Sequence, residues 1–503
     1  MTVPPTRHPE AVAARWLTFL LFFLLTASIT RLWLVPLPSS FWVDEMVTAF
    51  VVKYPGHHSF DIAPQVLESL YYWLPRTAHA LFGFSEIAYR VPSLLCMGLA
   101  LWLVSRLAVR FIHPQAGWFA AFACLAADGV NYYAIDARPY ALGIAVAVGS
   151  IFFLVRWFDY AHWADALLFT VCAALLWRVH LIYWPFYLVY VMYGAVRLAK
   201  RETAVRATQM LVSGILLTAS LLPVVLKTLA LQKEAQAHAF APLPTLRTLA
   251  IELHLSLILL CGAAAWAVRR VMPHQLARPM TVPPSFTALV LMAGWWLCAP
   301  VCLYLYSQLT EISVFLPRYL SLMLPGVALC ATAAAGRSLP AKFWRPAAAV
   351  LASGTLLAVG HWQQRWPAHD IYNWRSASVA ENRLARSPET PVVVPSPFIE
   401  ALPPAWTPDY PLPGFLYAQL PFYPITGIPY QFPVVDVKEG ESYALRLTAQ
   451  TLIPSGRFLI YGHSPQSTYW REWFSHRPEL AGWTSTAEQF GGVQVAVFQA
   501  PRP

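Results

Sequence analysis

Residues 139–157 read PYALGIAVAVGSIFFLVRW, a run whose one charged side chain, Arg156, lies next to its end. About 20 mostly apolar residues in a helix span the hydrocarbon core of a bilayer, so the run predicts a membrane-spanning helix. Asp136-Ala137-Arg138 precedes it. An apolar helix with an acid and a base at its entrance indicates a membrane protein that keeps polar groups at the end of a span.

About eleven runs of this kind follow one another along the chain, bounded by Arg and Lys or by Pro and Gly. We expect the first to be retained as a helix, because it is too long for the core of a signal peptide and no small-residue cleavage site follows it. The predicted spans lie near 16–36, 91–109, 115–133, 139–157, 163–179, 181–197, 208–230, 249–268, 286–306, 319–338 and 345–362.

Composition supports the same class. Of the 503 residues, 57% are hydrophobic and 12% are charged, whereas soluble domains carry roughly a quarter charged residues. A soluble enzyme, a disordered chain and a coiled coil are therefore excluded, because too little charged surface exists to keep such a chain in water. The sequence predicts a polytopic α-helical membrane protein.

The net charge of +10 would suggest nucleic acid in a soluble protein, but the alternate loops explain it better. With a cytoplasmic N-terminus, the inner loops hold fifteen Lys and Arg against four acids, and the outer loops hold nine among ten acids. Because positively charged loops stay in the cytoplasm, we expect a bacterial inner-membrane protein with its N-terminus inside, and no nucleic-acid partner.

An odd number of spans places the last part of the chain outside the cell. This tail is polar and Pro-rich between Pro388 and Pro433, with strand-like runs at Pro391–Val394, Phe458–Tyr461 and Val493–Phe498. We therefore expect two domains, a membrane domain at 1–362 and a small α/β extracytoplasmic domain at 363–503.

Two adjacent acids, Asp44 and Glu45, open the first outer loop. Ionisable groups beside aromatics at a membrane boundary are candidates for function, and an interfacial, solvated acid pair is the alternative. The semi-apolar stretch that follows predicts short amphipathic helices on the outer membrane surface. That stretch contains His57, His58, Tyr71 and Tyr72.

The later outer loops place two arginines at helix entrances. In the second loop, Pro139 is expected at the first helical position, so that Arg138 and the helix N-terminus suit a phosphate; a salt bridge between Asp136 and Arg138 is the alternative. Arg318 follows a proline in the same way, and an Arg that snorkels to the interface is its alternative. His180 lies between two spans, where a structural role is the more common one for a lone histidine.

The order of these motifs resembles that of bacterial polytopic glycosyltransferases of the GT-C superfamily. The nearest groups are the protein O-mannosyltransferases and the lipid A aminoarabinose transferases. The resemblance covers about residues 16–335 and is most specific at 41–46 and 131–142. Other elements that carry it are the Tyr-Tyr pair at 71–72, the Arg-Val-Pro-Ser at 90–93 and the Pro-Arg-Tyr-Leu at 317–320.

The resemblance implies transfer of a sugar from a polyprenyl phosphate to a glycan, lipid or protein acceptor on the outer face. It matches Asp44 to the catalytic acid of the first loop, Glu45 to its partner and Asp136 to the second acid of the site. One segment departs from the pattern, since many relatives carry His-Pro-Pro or Lys-Pro-Pro where this chain has Leu67-Glu68-Ser69. The shape of this segment, and any role in acceptor or metal binding, is therefore left open.

The chemistry to be served is displacement at an anomeric carbon with a lipid phosphate leaving. Arg138 and Arg318 suit the phosphate, because a guanidinium binds two of its oxygens at once, and Asp44 suits the general base. The remaining substrate-binding candidates are Tyr71, Tyr72, Tyr140, His57, His58, His180 and Tyr319.

No cofactor is required by the sequence, and a divalent metal is left open. Asp44, Asp136 and either His57 or His58 offer suitable ligands, but no spacing demands one. A lipid-linked-sugar flippase or polysaccharide exporter is the alternative function. That function predicts charged residues inside several spans. Away from the span ends the sequence has only Arg31 and Asp128, and this scarcity disfavours transport. A membrane scaffold that presents the tail is a third interpretation.

Overall fold

The computed structural model describes residues 9–62, 67, 69–230, 241–271, 283–358, 372–435 and 437–501. The chain divides into two compact units. The first contains Met1–Val35, Glu68–Ala78 and Arg90–Gln364, and the second contains Pro36–Leu67, His79–Tyr89 and Arg365–Pro503. Most of the loop predicted to be the first outer one therefore belongs to the same unit as the tail. The predicted domain boundary at 362 lies outside the described residues and stays a prediction.

Seven helices of the described chain are long and apolar enough to cross a membrane, which confirms the polytopic helical class. An eighth span results if Leu246–Glu252 and Leu255–Val271, which meet at a bend of 53°, are taken together. The seven are Arg15–Leu34, Glu86–Phe111, Tyr140–Tyr160, Leu181–Ala199, Ala207–Ala230, Phe286–Thr310 and Pro317–Gly336.

The eleven runs expected from the sequence include these seven helices and the bent pair. Three of the predicted runs form shorter helices: Gly117–Ala126 followed by Asp128–Ala134, then Trp163–Val179, and Trp344–Ala358. The end of the last run, 359–362, lies outside the described residues. Nearly every residue of Gly117–Ala126 is buried in the protein, as are most residues of the span Pro317–Gly336.

Close helix packing positions the ends of the spans in the first unit. A Cβ on Gly326 would lie 2.7 Å from the backbone nitrogen of Trp296, so glycine allows Leu324–Gly336 to pack directly on Phe286–Thr310. Trp295 Nε1 also donates to Leu322 O at 2.7 Å. Short 3₁₀ turns lead into three of the helices at Leu70–Tyr72, Leu181–Phe186 and Pro317–Met323.

A five-stranded sheet forms the centre of the second unit. The strands are β1 Pro391–Pro395, β2 Ile428–Phe432, β3 Arg457–His463, β4 Thr484–Phe490 and β5 Val493–Gln499. They lie in the order β2-β1-β3-β5-β4, with β1 parallel to β2 and β3, and β5 antiparallel to β3 and β4. The predicted α/β character of the tail and its three strand-like runs are confirmed.

Three helices pack on the sheet, and an aromatic core lies between the sheet and the last two of them. They are Trp374–Ala385, Lys438–Leu447 and Ser464–Ser475. Phe458 of β3 stacks on Phe498 of β5 with ring centroids 4.7 Å apart, and Trp470 is fully buried beside them. This core holds the sheet and the helices packed on it together, and the loop segments of the unit are attached to them.

The segments of the first outer loop are bonded to the tail within the second unit. Tyr423 accepts a hydrogen bond from Phe41 N at 2.7 Å and donates to Glu86 Oε1 at 3.2 Å. Arg375 pairs with the same Glu86 carboxylate. Ser59 Oγ accepts Phe415 N at 3.2 Å. The helices of this loop are Val43–Lys53, the 3₁₀ turn His58–Ile62 and Trp73–Phe82.

Candidate functional site

The predicted acid pair opens the helix Val43–Lys53 in the second unit, and its two members differ in environment. Glu45 is fully buried, and its Oε2 accepts the backbone N–H of Trp42 at 3.2 Å. A carboxylate in the first turn that accepts such an N–H caps the helix. Asp44 is partly exposed. The burial of Tyr372, and then the negative charge of Asp44, raise the pKa of Tyr372. Glu45 therefore has a structural partner, and Asp44 lies near the hydroxyl of Tyr372.

His57 and His58 stack on each other in the same unit, with ring centroids 4.4 Å apart. His57 Nδ1 lies 2.8 Å from Ser59 Oγ, and its ring packs edge-on against Phe50. Burial, and then the neighbouring His58, lower the pKa of His57. These contacts give His57 a packing role, while His58 is exposed.

In the first unit, the motif of the second outer loop surrounds the start of the helix Tyr140–Tyr160. Pro139 is the N-cap residue, one position before the first helical residue, so the sequence prediction was off by one. It provides no side-chain cap. Asp136 is fully buried and Arg138 is partly exposed. The positive end of the helix dipole therefore lies next to Arg138.

His180 lies at the centre of a group of aromatic rings. It stacks on Tyr140 at 6.2 Å and lies 5.2 Å from Tyr319 and 5.3 Å from Tyr183, measured between ring centroids. Its Nδ1 faces the backbone N–H of Ile182 at 3.3 Å, so the neutral ring carries its proton on Nε2. The structure thereby brings three predicted substrate-binding residues together.

Arg138 and Arg318 both act on this histidine. Burial, followed by the positive charges of Arg138 and Arg318, lowers the pKa of His180 to about 3. The Arg318 guanidinium also lies 5.5 Å from the ring centroid of Tyr319. Two cations from distant parts of the sequence thus converge on one neutral ring, and we call Arg138, Arg318 and His180 the arginine–histidine cluster.

Residues that the sequence did not single out as site residues adjoin this cluster. Burial first, and then Tyr183, Asp136 and Glu252, raise the pKa of Tyr133, whereas Arg318 lowers it. Tyr183 in turn lies 3.2 Å from Ser321, measured between hydroxyl oxygens. Tyr133 belongs to the motif at 131–142, so the sequence could have identified it as a site residue. Glu252 and Tyr183 belong to no motif, and only the folded chain identifies them.

Tyr71 and Tyr72 are buried in the first unit. Ser69 Oγ accepts Tyr71 N at 3.2 Å and donates to Val179 O at 2.6 Å, one residue before His180. The hydroxyl of Ser69, which stands where many relatives carry proline, therefore fixes the Leu70–Tyr72 turn beside the cluster. Glu68, the other departing residue, lies outside the described residues.

The described part of the chain contains no group of three or more His, Cys, Asp or Glu side chains arranged to hold a metal ion. Of the four possible ligands named from the sequence, Asp136 belongs to the first unit, and Asp44, His57 and His58 belong to the second. A metal requirement stays an open prediction.

Comparison with known proteins gives structural neighbours alone. No protein-family model and no curated protein matches the sequence. Among solved structures, ArnT from Cupriavidus metallidurans in the apo state has a TM-score of 0.53 at 14% identity, with 97% of this chain and 98% of that chain covered. The same protein bound to undecaprenyl phosphate has a TM-score of 0.52 at 14% identity, with 96% and 98% covered.

A third structure, arabinosyltransferase EmbB from Mycobacterium smegmatis, has a TM-score of 0.43 at 14% identity, with 66% of this chain and 31% of that chain covered. A score this low carries no structural argument. The two ArnT structures do, because the likeness extends over nearly the whole of both chains.

This chain therefore has the fold of ArnT. The resemblance found in the sequence motifs is confirmed at the level of the fold. It also extends further than the motifs indicated, since the covered 97% of the chain includes most of the tail as well as residues 16–335.

Proposed function

We propose that this protein is a membrane glycosyltransferase that moves a sugar from a polyprenyl-phosphate donor to an acceptor at the extracytoplasmic face. The observation that carries the proposal is the convergence of Arg138 and Arg318 on His180, in a chain with the fold of ArnT. ArnT has been captured with undecaprenyl phosphate, which supports a lipid phosphate as the donor carrier.

The arginines would bind the phosphate of the donor. A lipid phosphate that leaves an anomeric carbon gains negative charge, and preorganised cations stabilise that charge in the transition state. Arg138 and Arg318 supply two guanidinium groups, each able to bind two phosphate oxygens. The N-terminus of Tyr140–Tyr160 adds a partial positive charge at the same place.

His180 would serve as a neutral donor at this phosphate. With a pKa near 3 it carries no charge at physiological pH. Its Nδ1 faces a backbone N–H, so Nε2–H is the group left to donate. A neutral ring near two arginines adds no third positive charge.

Asp44 would act as the general base that takes the proton of the acceptor hydroxyl. It is the partly exposed member of the acid pair, whereas the buried Glu45 is bonded to the backbone of Trp42. We therefore propose that Glu45 fixes the helix that carries Asp44, and that Asp136 is the second acid. The acceptor would be a glycan, lipid or protein, and the N-terminus would lie in the cytoplasm, as the loop charges predict.

The direct test is donor turnover by the purified full-length protein. A panel of polyprenyl-phosphate sugars is incubated with protein and acceptor extract, and release of the lipid phosphate is measured. We expect Asp44→Asn to lower the rate by about 100- to 10,000-fold, the usual range for loss of a general base. Asp61→Asn, an exposed acid of the same loop, is the matched control and should retain the rate.

Normal turnover by folded Asp44→Asn would exclude Asp44 as the base. A second contrary result is that the protein releases no lipid phosphate with any donor and yet moves intact donor across the membrane of reconstituted vesicles. That result would exclude the transferase and support the flippase.

A further inference from the structure

A polar cavity of about 550 Å³ lies in the first unit, at the C-terminal end of the helix Tyr140–Tyr160. Because the helix has 21 residues and rises 1.5 Å per residue, this cavity is about 30 Å from Arg138. The cavity is therefore separate from the arginine–histidine cluster. It is lined by Arg110, His113, Asp159, Arg197, Glu202 and Thr287, among others.

Two arginines share one carboxylate in this cavity. Arg110 Nε and Nη2 donate to Asp159 Oδ2 at 3.1 and 2.9 Å, and Arg197 Nη2 donates to Asp159 Oδ1 at 2.9 Å. One negative charge held by two positive ones leaves the triad with a net positive charge. The carboxylate also fixes both guanidinium groups in place, so they are preorganised for another anion.

Both arginines retain donors that these bonds do not use. A guanidinium has five N–H groups, and Arg110, whose side chain is 56% exposed, gives two of them to Asp159. Arg197 is 8% exposed, and its Nε makes no hydrogen bond with any described residue. Buried donors without acceptors are unfavourable, so an entering acceptor is favoured.

A helix N-terminus and a carboxylate complete the cavity. The helix Phe286–Thr310 begins here, and Ser285, which caps Ala288 N at 3.2 Å, is part of the lining. The partial positive charge of a helix start attracts anions. Glu202 lies on the same lining, where its Oε2 accepts the hydroxyl of Thr287 at 2.7 Å. The cavity therefore offers positive groups beside a second carboxylate, Glu202.

We propose that this cavity binds a phosphate ester that carries an ammonium group, which is the chemistry of a phosphoethanolamine headgroup. Arg110 and the start of Phe286–Thr310 take the phosphate, and Glu202 takes the ammonium. The volume falls in the range of about 300–1,000 Å³ typical of small-ligand sites. The helices that meet at this cavity, among them Glu86–Phe111, Tyr140–Tyr160 and Phe286–Thr310, are long and apolar enough to cross a membrane. The ends of such helices suit the headgroup layer, so a membrane phospholipid is the expected source and soluble phosphoethanolamine is the other.

The test is native mass spectrometry of the full-length protein with equimolar phosphatidylethanolamine, phosphatidylglycerol and diacylglycerol. We expect preference for phosphatidylethanolamine, weaker binding of phosphatidylglycerol and none of diacylglycerol. Arg110→Gln should weaken phosphatidylethanolamine binding about tenfold, the size of one lost charge-assisted contact. Arg156→Gln, which breaks the ion pair with Asp165 outside the cavity, is the matched control and should change binding less than about twofold.

Two further measurements distinguish a phospholipid from a soluble ligand and show whether a loss of binding comes from misfolding. Soluble phosphoethanolamine is titrated while the thermal midpoint is followed; an Arg110-dependent rise identifies a soluble ligand, and binding of the lipid alone identifies a phospholipid. Arg110→Lys keeps the charge but not the bidentate bond, and Glu202→Gln should remove the preference for phosphatidylethanolamine over phosphatidylglycerol. Unchanged binding of both ligands in folded Arg110→Lys and Glu202→Gln would overturn the proposal.

Discussion

The helices Val43–Lys53 and Tyr140–Tyr160 both begin beside acids that the sequence singled out, yet their N-termini are completed in different ways. At the first helix, the buried Glu45 carboxylate accepts the N–H of Trp42. At the second, Pro139 offers no side-chain cap, and Arg138 acts on His180 together with Arg318. An acid in a sequence motif can therefore be a helix cap. A candidate site is identified better by side chains from distant segments that lie close together.

Replacing either arginine of the arginine–histidine cluster should have the largest effect on turnover. We expect Arg138→Gln and Arg318→Gln each to lower turnover of the lipid-phosphate donor by about 100- to 1,000-fold, because each removes a preorganised cation from the leaving phosphate. Steady-state release of lipid phosphate measures this. Arg247→Gln, an exposed arginine on Leu246–Glu252, should stay within about twofold, and equal losses in all three variants would refute a specific phosphate role.

Changing the cap at Val43–Lys53 separates a structural Glu45 from a catalytic one. Glu45→Gln keeps a carbonyl oxygen for Trp42 N, whereas Glu45→Ala removes it and should cost about 1 kcal/mol of stability, as for other lost caps. Thermal unfolding of both variants measures the difference. If Glu45→Gln is stable but inactive, Glu45 takes part in the chemistry and the contrast between the two helices disappears.

The depressed pKa of His180 predicts a pH dependence of stability. In the folded protein this ring titrates near pH 3, below its ordinary value of 6.5. Between these values the unfolded chain binds a proton that the folded chain does not, so this contribution to stability is complete above about pH 6.5 and is lost as the pH falls toward 3.

The thermal midpoint of the wild type should therefore fall more steeply between pH 7 and pH 4.5 than that of His180→Gln. His58→Gln, at an exposed ring, is the control. Parallel curves for wild type and His180→Gln would show that burial, Arg138 and Arg318 do not hold His180 neutral in the folded protein.

The smallest effect is expected at the exposed ring of the first outer loop. His58 stacks on His57 at the surface, so His58→Ala should change turnover less than about twofold. A loss of tenfold or more in the assay for lipid-phosphate release would return His58 to the substrate-binding residues predicted from the sequence.

The sheet shows which strands a sequence reveals. The three predicted strands, β1, β3 and β5, are apolar and buried. The two that were missed are the edge strands: β4 reads TSTAEQF and is almost entirely exposed, and β2 contains Pro429 within a Pro-rich stretch. An edge strand is specified by its neighbour's backbone more than by its own side chains, so its sequence carries a weak signal.

The spans show a matching limit. Hydropathy identified every long helix of the described chain, and two further predicted runs fall on the shorter helices Gly117–Ala126 and Trp344–Ala358. An apolar side chain leaves water equally well for lipid or for a protein core. Composition alone therefore does not distinguish a helix that crosses a membrane from one that packs inside the protein.

The sequence by itself determined the membrane class, the helical spans with their entrance motifs, and the residues Arg138, Arg318 and His180 as candidates, because apolar length and local order are written along the chain. Tertiary structure alone decided that Arg138 and Arg318 act on one histidine, that Glu45 caps a helix, that Ser69 fixes the Leu70–Tyr72 turn, and that Arg110 and Arg197 share Asp159 in a distant cavity. These are contacts between segments far apart in sequence or between a side chain and the backbone, and only the packing of the helices sets their distances.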